Sequence, residues 1–376
     1  MIKKIIFLIF SLFIVNITIR SQNNEIVKKT YRVGIVGLVH DHVGWILDRE
    51  KMGDIEIVGI AEPNYELAES YSKKYGYNMN IVYSSIEEMV DKTKPEAVFA
   101  YNPTYDLLKT VECCAPLGIH VMVEKPLAVN PDHAEKMLKL AEKYNIYLIT
   151  NYETTWYGSN KTAWEIINDK NEIGPIRKIV FHTGHQGPKE IGCSPQFLEW
   201  LTDPILNGGG ALEDFGCYGA NLCTWLMKGE HPLTVTAVTQ QIKPEIYPNV
   251  EDEATIILTY PKAQVIIQAS WNWPFGRKDM EVYGKDGYLF CLDRENILLM
   301  KNNQKEREAI KAPPMPDYSL DQITYFTNLL NGSVKMGVYD LSSPANNEIV
   351  VKILEAAKVS AQMGKTVVWK EFYKND

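Results

Sequence analysis

Three residues that could carry out chemistry stand together at Glu124-Lys125-Pro126, directly after the apolar run 121–123. Proline lacks an N–H and fixes its own φ, so a strand has to end there. Open α/β sheets bind their ligands at the carboxyl ends of parallel strands. A lysine at such an end can project into a cleft as a charged hydrogen-bond donor. A strand that simply ends in a solvated charge pair would look the same, so the motif depends on the rest of the chain.

A second stretch with chemical potential begins at the three glycines 208–210 and continues to residue 226. If it forms one helix, a single face carries ionisable and polar side chains spaced like helix neighbours, namely Asp214, Tyr218, Asn221 and Trp225. Such a face predicts a pocket wall, although a helix that packs a tyrosine and is capped by an aspartate would look similar. A tyrosine beside a lysine can exchange protons, because the cation lowers the pKa of the phenol.

The turn after the predicted first strand, residues 31–38, partly resembles a dinucleotide-binding loop. Such loops prefer glycine at the positions of Gly37, Val39 and His42, and only the first is glycine here. The order strand, turn, helix 42–51 and second strand 55–61 still favours a cofactor site. The predicted cofactor-binding residues are Gly37, Leu38, Val39, His40, Glu62, Asn102, Pro103, Glu124 and Lys125.

Glu62 follows the second strand, where a carboxylate can accept the ribose hydroxyls of a dinucleotide and repel a 2′-phosphate. This position favours NAD over NADP, although Glu62 could also be an acid that precedes a helix.

Two pairs of histidines raise the question of a metal. His40 and His42 share one turn, but no third ligand stands near them in the sequence, so we expect no metal there. His182 and His185 are more plausible as hydrogen-bonding residues of a substrate pocket at a strand end.

The whole chain has 376 residues, 45% hydrophobic and 23% charged, which is typical of a globular protein of two domains. Its formal net charge of -8 argues against a nucleic-acid partner.

Lys3 and Lys4 precede an apolar run at 5–15, which predicts a signal peptide at 1–21. The protein would then be exported, most simply to a periplasm, with no membrane contact after cleavage. An uncleaved anchor is the alternative. The six scattered cysteines are expected to be mostly buried free thiols, although export permits a disulfide.

Strands and helices alternate over residues 30–152, and the strands are apolar on both faces, which predicts a Rossmann-like domain with a parallel sheet. Residues 153–376 contain successive strands that alternate apolar and polar side chains. They predict an α+β domain with a large, mostly antiparallel open sheet that would bind the substrate.

Taken together, these motifs resemble the Gfo/Idh/MocA oxidoreductase family. The resemblance rests on Glu124-Lys125-Pro126, on the segment from Gly208 to Tyr218 and on the turn 282–287. It implies that Lys125 bridges nicotinamide and a substrate hydroxyl, that the bond before Pro126 is cis, that Asp214 holds Lys125, and that Tyr218 takes the proton. Most relatives carry histidine at the position of Tyr218. Tyrosine there resembles the branch of glucose–fructose oxidoreductase, xylose dehydrogenase and dihydrodiol dehydrogenase.

The same resemblance implies an NAD-dependent enzyme that moves a hydride between a sugar hydroxyl carbon and tightly bound NAD. Its predicted substrate contacts are Lys125, His182, His185, Tyr218 and Asn221, the last standing where aspartate is common in the family. Two alternatives remain open: redox-neutral glycoside cleavage through a keto-sugar, and a non-catalytic sugar- or NAD-binding module. A homo-oligomer that assembles through the C-terminal sheet is also expected.

Overall fold

The computed structural model describes residues 29–374, so the predicted signal peptide at 1–21 lies outside the described residues. Two sheets organise this part of the chain, one in each predicted domain. None of the helices within 29–374 combines the length and the apolar character needed to cross a bilayer. All six cysteines fall in this range and are free thiols.

The N-terminal domain is built on a parallel sheet with the order β3-β2-β1-β4-β5-β6. Its strands are β1 (Tyr31–Val36), β2 (Ile55–Ala61), β3 (Val82–Tyr83), β4 (Ala97–Ala100), β5 (His120–Glu124) and β6 (Leu148–Asn151). The strand order reverses between β1 and β4, and this topological switch point is where doubly wound sheets bind ligands. The predicted Rossmann-like fold is confirmed.

The helices of this domain are α1 (Gly44–Leu47), α2 (Tyr65–Tyr75), α3 (Ile86–Thr93), α4 (Leu107–Cys114) and α5 (Pro131–Tyr144). Local signals fix several ends: the Asn64 side chain caps the first turn of α2, and Gly76 closes it with φ 84°. The predicted helix 42–51 is instead interrupted, because a 3₁₀ turn at Asp41–Val43 precedes the four-residue α1. The loop after β1 therefore lacks a long helix behind it.

The C-terminal domain carries a sheet with the order β14-β13-β12-β11-β7-β10-β9-β8-β15, antiparallel except for the pair β7 and β10. Its strands are β7 (Ile176–Gly184), β8 (Thr234–Gln240), β9 (Glu253–Thr259), β10 (Gln264–Ser270), β11 (Arg277–Gly284), β12 (Gly287–Cys291), β13 (Asn296–Lys301), β14 (Glu308–Lys311) and β15 (Val367–Val368). Its helices are α6 (Gly158–Trp164), α7 (Pro195–Leu201), α8 (Ala211–Asp214), α9 (Gly216–Leu226), α10 (Gln322–Leu330), α11 (Pro344–Met363) and α12 (Trp369–Phe372). The predicted open antiparallel sheet is confirmed.

Helix α9 covers one face of this sheet at very short range. A Cβ on Gly219 would come within 2.6 Å of Ile267 and 3.2 Å of Phe181, so only glycine permits this approach. Phe181 and Thr183 face α9, since the Thr183 hydroxyl donates to the carbonyl of Phe215 at 2.9 Å. Successive side chains of a strand point to opposite faces, and His182 therefore lies on the other side of the sheet.

Candidate active site

Lys125 and Asp214 form the centre of the candidate site, where the end of β5 meets the C-terminal domain. The Lys125 ammonium donates to the Asp214 carbonyl at 3.0 Å and forms an ion pair with Oδ1 of the same residue. The indole Nε1 of Trp271 donates to the other carboxylate oxygen, Oδ2, at 3.0 Å. The Lys125–Pro126 bond is cis, as the resemblance implied. The lysine is therefore held from the other domain by a carboxylate that is itself fixed on both oxygens.

The two buried charges stabilise each other. Burial opposes the charge of Lys125, but the attraction of Asp214 outweighs it and raises the pKa of the ammonium. Burial likewise opposes the charge of Asp214, and the contact with Lys125 outweighs it and lowers the pKa of the carboxyl. Both groups are ionised at neutral pH, so Lys125 is a cationic donor rather than a base.

Tyr218 lies beneath the ammonium. The Nζ atom of Lys125 is 5.1 Å from the ring centroid, and that of Lys278 is 4.7 Å from it. The pKa of Tyr218 is raised well above its ordinary value, first by burial and then by the negative charge of Glu153. The expectation that a nearby lysine lowers this pKa is wrong here, because burial dominates. Tyr218 is a protonated phenol at neutral pH and can donate its proton.

The predicted single helix from Asp214 to Trp225 is also wrong in part. Helix α8 ends at Asp214 and α9 begins at Gly216, so Asp214 and Tyr218 stand on separate helices. The fully buried Asn221 donates its amide to the carbonyl of Leu341 at 2.8 Å and to Asn347 at 3.3 Å. It ties α9 to the start of α11, while its Oδ1 atom has no hydrogen-bond partner within the described residues, so the contact with substrate stays a prediction.

The two histidines of β7 have different surroundings. His182, on the face away from α9, pairs through Nδ1 with Asp279 of β11 at 2.8 Å and so lies apart from Tyr218; its contact with substrate stays a prediction. His185 packs edge-on against Phe215 at 4.7 Å, beside the acid of the central pair. Its Nδ1 accepts the N–H of Gly187 at 2.9 Å, and burial lowers its pKa. The neutral ring therefore carries its proton on Nε2, which makes His185 a hydrogen-bond donor.

A cleft of about 360 Å³ opens at the switch point between β1 and β4. Five predicted cofactor-binding residues line it, namely Gly37, Val39, Glu62, Asn102 and Pro103. Gly37 has φ 78°, and a Cβ there would lie 2.8 Å from the backbone nitrogen of Asn102, so this turn requires glycine. A larger cavity of about 520 Å³, lined by Trp164, Trp225 and Tyr339 among others, contains none of the predicted catalytic or cofactor-binding residues. The size of a cavity therefore does not identify the candidate active site in this protein.

Glu62 closes the far side of this cleft. Its two carboxylate oxygens accept the backbone N–H groups of Leu38 and Asn64, each at 2.8 Å. Burial raises the pKa of Glu62 although both N–H groups oppose it. Each oxygen keeps a lone pair, so the carboxylate can still accept the hydroxyls of a ribose. The cleft thus fits the adenosine end of a dinucleotide.

The pyrophosphate segment fits less simply. The carbonyl of Val39 accepts the indole N–H of Trp200 at 3.3 Å, and Ser194 donates its backbone N–H to Asp41 at 3.0 Å. The beginning of α7 is therefore fastened to the loop after β1. A dinucleotide running from Glu62 to Lys125 would have to pass this loop without the two glycines that usually line it.

Glu124, beside Lys125, is surrounded by donors. His42 lies 3.1 Å away through Nδ1, and Asn151 donates its amide at 2.7 Å. These contacts outweigh burial and lower the pKa of Glu124 to about 2. The Nε2 atom of His40 is 3.9 Å from the same carboxylate. Glu124 is thus an ionised anchor between β5, β6 and the loop after β1.

Four residues that contact the candidate site were missed by the sequence reasoning, namely Glu153, Trp200, Trp271 and Lys278. Glu153 stands two residues after the end of β6, close to where Glu62 stands after β2, so the rule about strand ends could have found it. Trp271 stands at the end of β10 and carried a similar signal. Lys278 lies opposite Thr183 in the register of β11 with β7, and that long-range pairing was not visible in the sequence.

A parallel sheet with a cleft at its switch point and a lysine–acid pair at a neighbouring strand end is typical of dinucleotide-dependent oxidoreductases. Residues 31–152 match the family model described as an oxidoreductase family with an NAD-binding Rossmann fold. Residues 161–290 match the model of the GFO/IDH/MocA C-terminal domain. The chain belongs to the Gfo/Idh/MocA oxidoreductase family.

Two relatives illustrate its neighbours in sequence. The chain is 27% identical over 186 residues to a trans-1,2-dihydrobenzene-1,2-diol dehydrogenase of Xenopus tropicalis, which covers 49% of this chain and 52% of the relative. It is 22% identical over 267 residues to a 1,5-anhydro-D-fructose reductase of Ensifer adhaerens, and this match covers 69% of this chain and 74% of the relative. The match thus spans about half the length of the Xenopus relative.

Solved structures support the fold over nearly the whole chain. An aldose-aldose oxidoreductase from Caulobacter crescentus superposes with a TM-score of 0.75 at 20% identity, covering 90% of this chain and 100% of the other. An inositol dehydrogenase homolog from Azotobacter vinelandii, complexed with NAD+, gives a TM-score of 0.77 at 18% identity, covering 90% and 97%.

Proposed function

We propose that the protein is an NAD-dependent oxidoreductase that transfers a hydride between nicotinamide and a hydroxyl-bearing carbon of a sugar or polyol. The observation that carries the proposal is the buried Lys125–Asp214 pair at the end of a Rossmann strand, with Tyr218 below it. The names of the relatives support the substrate class, since two name a diol and an anhydro sugar as substrates and a third is a homolog of inositol dehydrogenase.

The N–H groups of Lys125 and the phenol proton of Tyr218 determine what this chain contributes to the reaction. Two of the three N–H groups of Lys125 are directed at Asp214, so the third remains for an oxygen of the substrate. An ammonium placed there stabilises the alkoxide-like oxygen that develops as hydride leaves or arrives at the carbon. Tyr218 can supply the proton when a carbonyl is reduced. When bound, nicotinamide would supply the hydride chemistry itself.

NAD is favoured over NADP because the Glu62 carboxylate at the rim of the cleft would repel a 2′-phosphate. We also propose that the protein is exported and that it retains NAD tightly. Both proposals rest on the predicted signal peptide at 1–21. An exported enzyme has little free dinucleotide to draw on. The measurement that checks retention is the absorbance and mass of any ligand released when the purified protein is denatured, and release of no nicotinamide would contradict it.

Association through the C-terminal sheet is part of the same proposal. On the face away from α9, half-buried Val180, Ile266 and Ile257 form an apolar row across three neighbouring strands. Such a row is partly exposed in a single chain, and a second chain can cover it. Light scattering of the purified protein measures this directly, and a monomer at micromolar concentration would contradict it.

The activity is tested with purified protein, NAD+ or NADP+, and a panel of sugars and polyols, followed by the absorbance of reduced nicotinamide and by product analysis. Release of a free sugar and an aglycone from a glycoside would instead favour redox-neutral cleavage.

Replacing Tyr218 by phenylalanine should keep dinucleotide binding and lower turnover by about 10²–10⁴-fold, the usual loss when a general acid is removed. The control is Tyr260→Phe, since Tyr260 is also buried but its hydroxyl contacts Cys223 at 3.3 Å. If the two variants turn over equally well, Tyr218 is not the acid.

A further inference from the structure

A second cluster of chemically active side chains lies beside the proposed hydride-transfer site. It consists of His40, His42 and Glu124, and one possible ligand atom of each lies within 4.8 Å of the others. The carboxylate Oε2 of Glu124 is 3.1 Å from Nδ1 of His42 and 3.9 Å from Nε2 of His40. The sequence argued against a metal because it offered no third ligand, and the fold supplies Glu124 from β5.

His40 provides an independent sign that something is bound here. It is only 1% exposed, and its Nε2 atom has no hydrogen-bond partner within the described residues. A buried polar atom without a partner is costly, so such atoms call for an explanation, for which an ion is one candidate. The side chain of His42 is 24% exposed and offers a route from solvent to the cluster.

We propose that His40, His42 and Glu124 bind one divalent first-row transition ion, of which Zn²⁺ and Co²⁺ are examples. Two imidazoles and one carboxylate are a ligand set that such ions accept, with water in the remaining positions. Bonds of about 2.0–2.2 Å place neighbouring ligand atoms about 3–4 Å apart, so the carboxylate–imidazole distances are already close to those required. Metal binding can be measured without nicotinamide, although His40 and Glu124 are also among the predicted cofactor-binding residues.

The carboxylate is already oriented for this role. The Asn151 side chain donates its amide to Oε1 of Glu124 at 2.7 Å, and its own Oδ1 atom accepts the indole N–H of Trp156 at 3.0 Å. The other oxygen, Oε2, is thereby turned toward the two histidines. Partners that orient a ligand in this way are usual around metal ions and are worth about 10–100-fold in affinity.

One existing hydrogen bond must be given up. The Nδ1 atom of His40 accepts the backbone N–H of His42 at 3.1 Å, so the neutral ring holds its proton on Nε2. An ion on Nε2 requires that proton to move to Nδ1, which breaks this bond. Losing one such bond weakens binding by about tenfold, which is small compared with the affinity that three ligands provide. The site should therefore bind its ion, although more weakly than one with a preset tautomer.

The test uses full-length protein without a histidine tag, stripped with a chelator and titrated with Co²⁺ or Zn²⁺. We expect one ion per chain, a visible spectrum characteristic of Co²⁺ with nitrogen and oxygen ligands, and about 100-fold weaker binding in His42→Gln and Glu124→Gln. The matched control is His182→Gln, because His182 also pairs with a carboxylate but has no second histidine beside it. It should bind the ion like the wild type.

Two results would overturn the proposal: no stoichiometric ion on the stripped wild-type protein, or unchanged binding in His42→Gln. Circular dichroism establishes whether each variant is folded, and the partly exposed His42 keeps the test usable if changes at buried positions disrupt folding. Dinucleotide binding is measured separately on the metal-free protein. If the wild-type protein binds no metal, and His42→Gln and Glu124→Gln lose dinucleotide binding, the cluster belongs to the cofactor site and the metal proposal is rejected.

Discussion

Lys278 lies over the ring of Tyr218 while its ammonium forms an ion pair with Glu153. The lysine comes from β11, the tyrosine from α9 and the glutamate from the turn after β6, so three distant segments meet at the phenol. A cation over the ring favours the ionised form of a phenol, so Lys278 should act on the pKa of Tyr218 in the direction opposite to Glu153.

Replacing Lys278 by methionine should remove this offset and raise the pKa of Tyr218 further, since Glu153 would act on it less opposed. We expect kcat to fall by about tenfold, the size of a partly buried cation–π contact, while KM for the dinucleotide stays the same. Steady-state kinetics of both substrates measure this split. Lys278→Arg keeps the charge and should retain most of the activity, and an equal loss in both variants would show that packing rather than charge matters.

Replacing Lys125 by methionine should affect stability and activity separately. The buried Asp214 would lose its partner, which costs about 3–5 kcal/mol of unfolding free energy. The double variant Lys125→Met/Asp214→Asn removes the unpaired charge and should recover part of that loss, as urea unfolding would measure. Turnover should remain at least about 10²-fold below wild type in both, because the donor to the substrate oxygen is missing. Recovered turnover in the double variant would contradict a catalytic role for Lys125.

The turn at Gly37 can be probed with a matched pair of glycines. Gly37 and Gly53 have similar positive φ values of 78° and 72°, but only a Cβ at Gly37 would meet other atoms, at 2.8 Å from the nitrogen of Asn102. Gly53→Ala should cost about 1 kcal/mol from backbone strain alone. Gly37→Ala should cost more and should also weaken dinucleotide binding. Thermal unfolding and calorimetric titration distinguish the two, and equal effects would show that the contact with Asn102 can relax.

Stability should depend on pH through Glu153. Burial opposes its charge, but Lys278 and Arg294 outweigh that effect and lower its pKa from 4.5 to about 2 in the folded protein. A depressed folded-state pKa stabilises the protein above the unfolded pKa, and this contribution is lost as the pH falls from about 4.5 toward 2.

Glu153→Gln should therefore be less stable than wild type by about 1–3 kcal/mol at neutral pH, with the gap narrowing below pH 4.5. Urea unfolding at several pH values measures the gap. A gap that stays constant down to pH 3 would assign the loss to packing instead of charge.

Much of the fold followed from local signals in the sequence. The caps at Asn64 and Gly76 set the ends of α2 because they act within one turn of the helix. Strand β5 ends at Glu124 because Pro126 cannot continue it. The identity of the central pair needed the family resemblance, since Lys125 and Asp214 are 89 residues apart and nothing local connects them.

The sequence was least informative about which face of a strand or helix is buried and about where a helix breaks. His182 and His185 looked equivalent in sequence, yet the alternation of Phe181, His182 and Thr183 decides that His182 faces away from α9. The break at Phe215 between α8 and α9 was equally hidden, because glycine-rich segments permit several conformations. The hydrogen bonds of Asn221 to Leu341 and Asn347 were also hidden, because those partners lie more than a hundred residues later in the sequence.

The contacts of Lys125 also limit how this protein can be recombined with its relatives. The lysine belongs to the N-terminal domain, and the carboxylate of Asp214 and the indole of Trp271 that fix it belong to the C-terminal domain. A chimera that joins this N-terminal domain to a relative's C-terminal domain would keep its dinucleotide cleft. It would inherit a correctly held ammonium only if the donor supplied both an acid and an aromatic N–H at those two positions. These two residues are therefore the first to compare when choosing a partner for such an exchange.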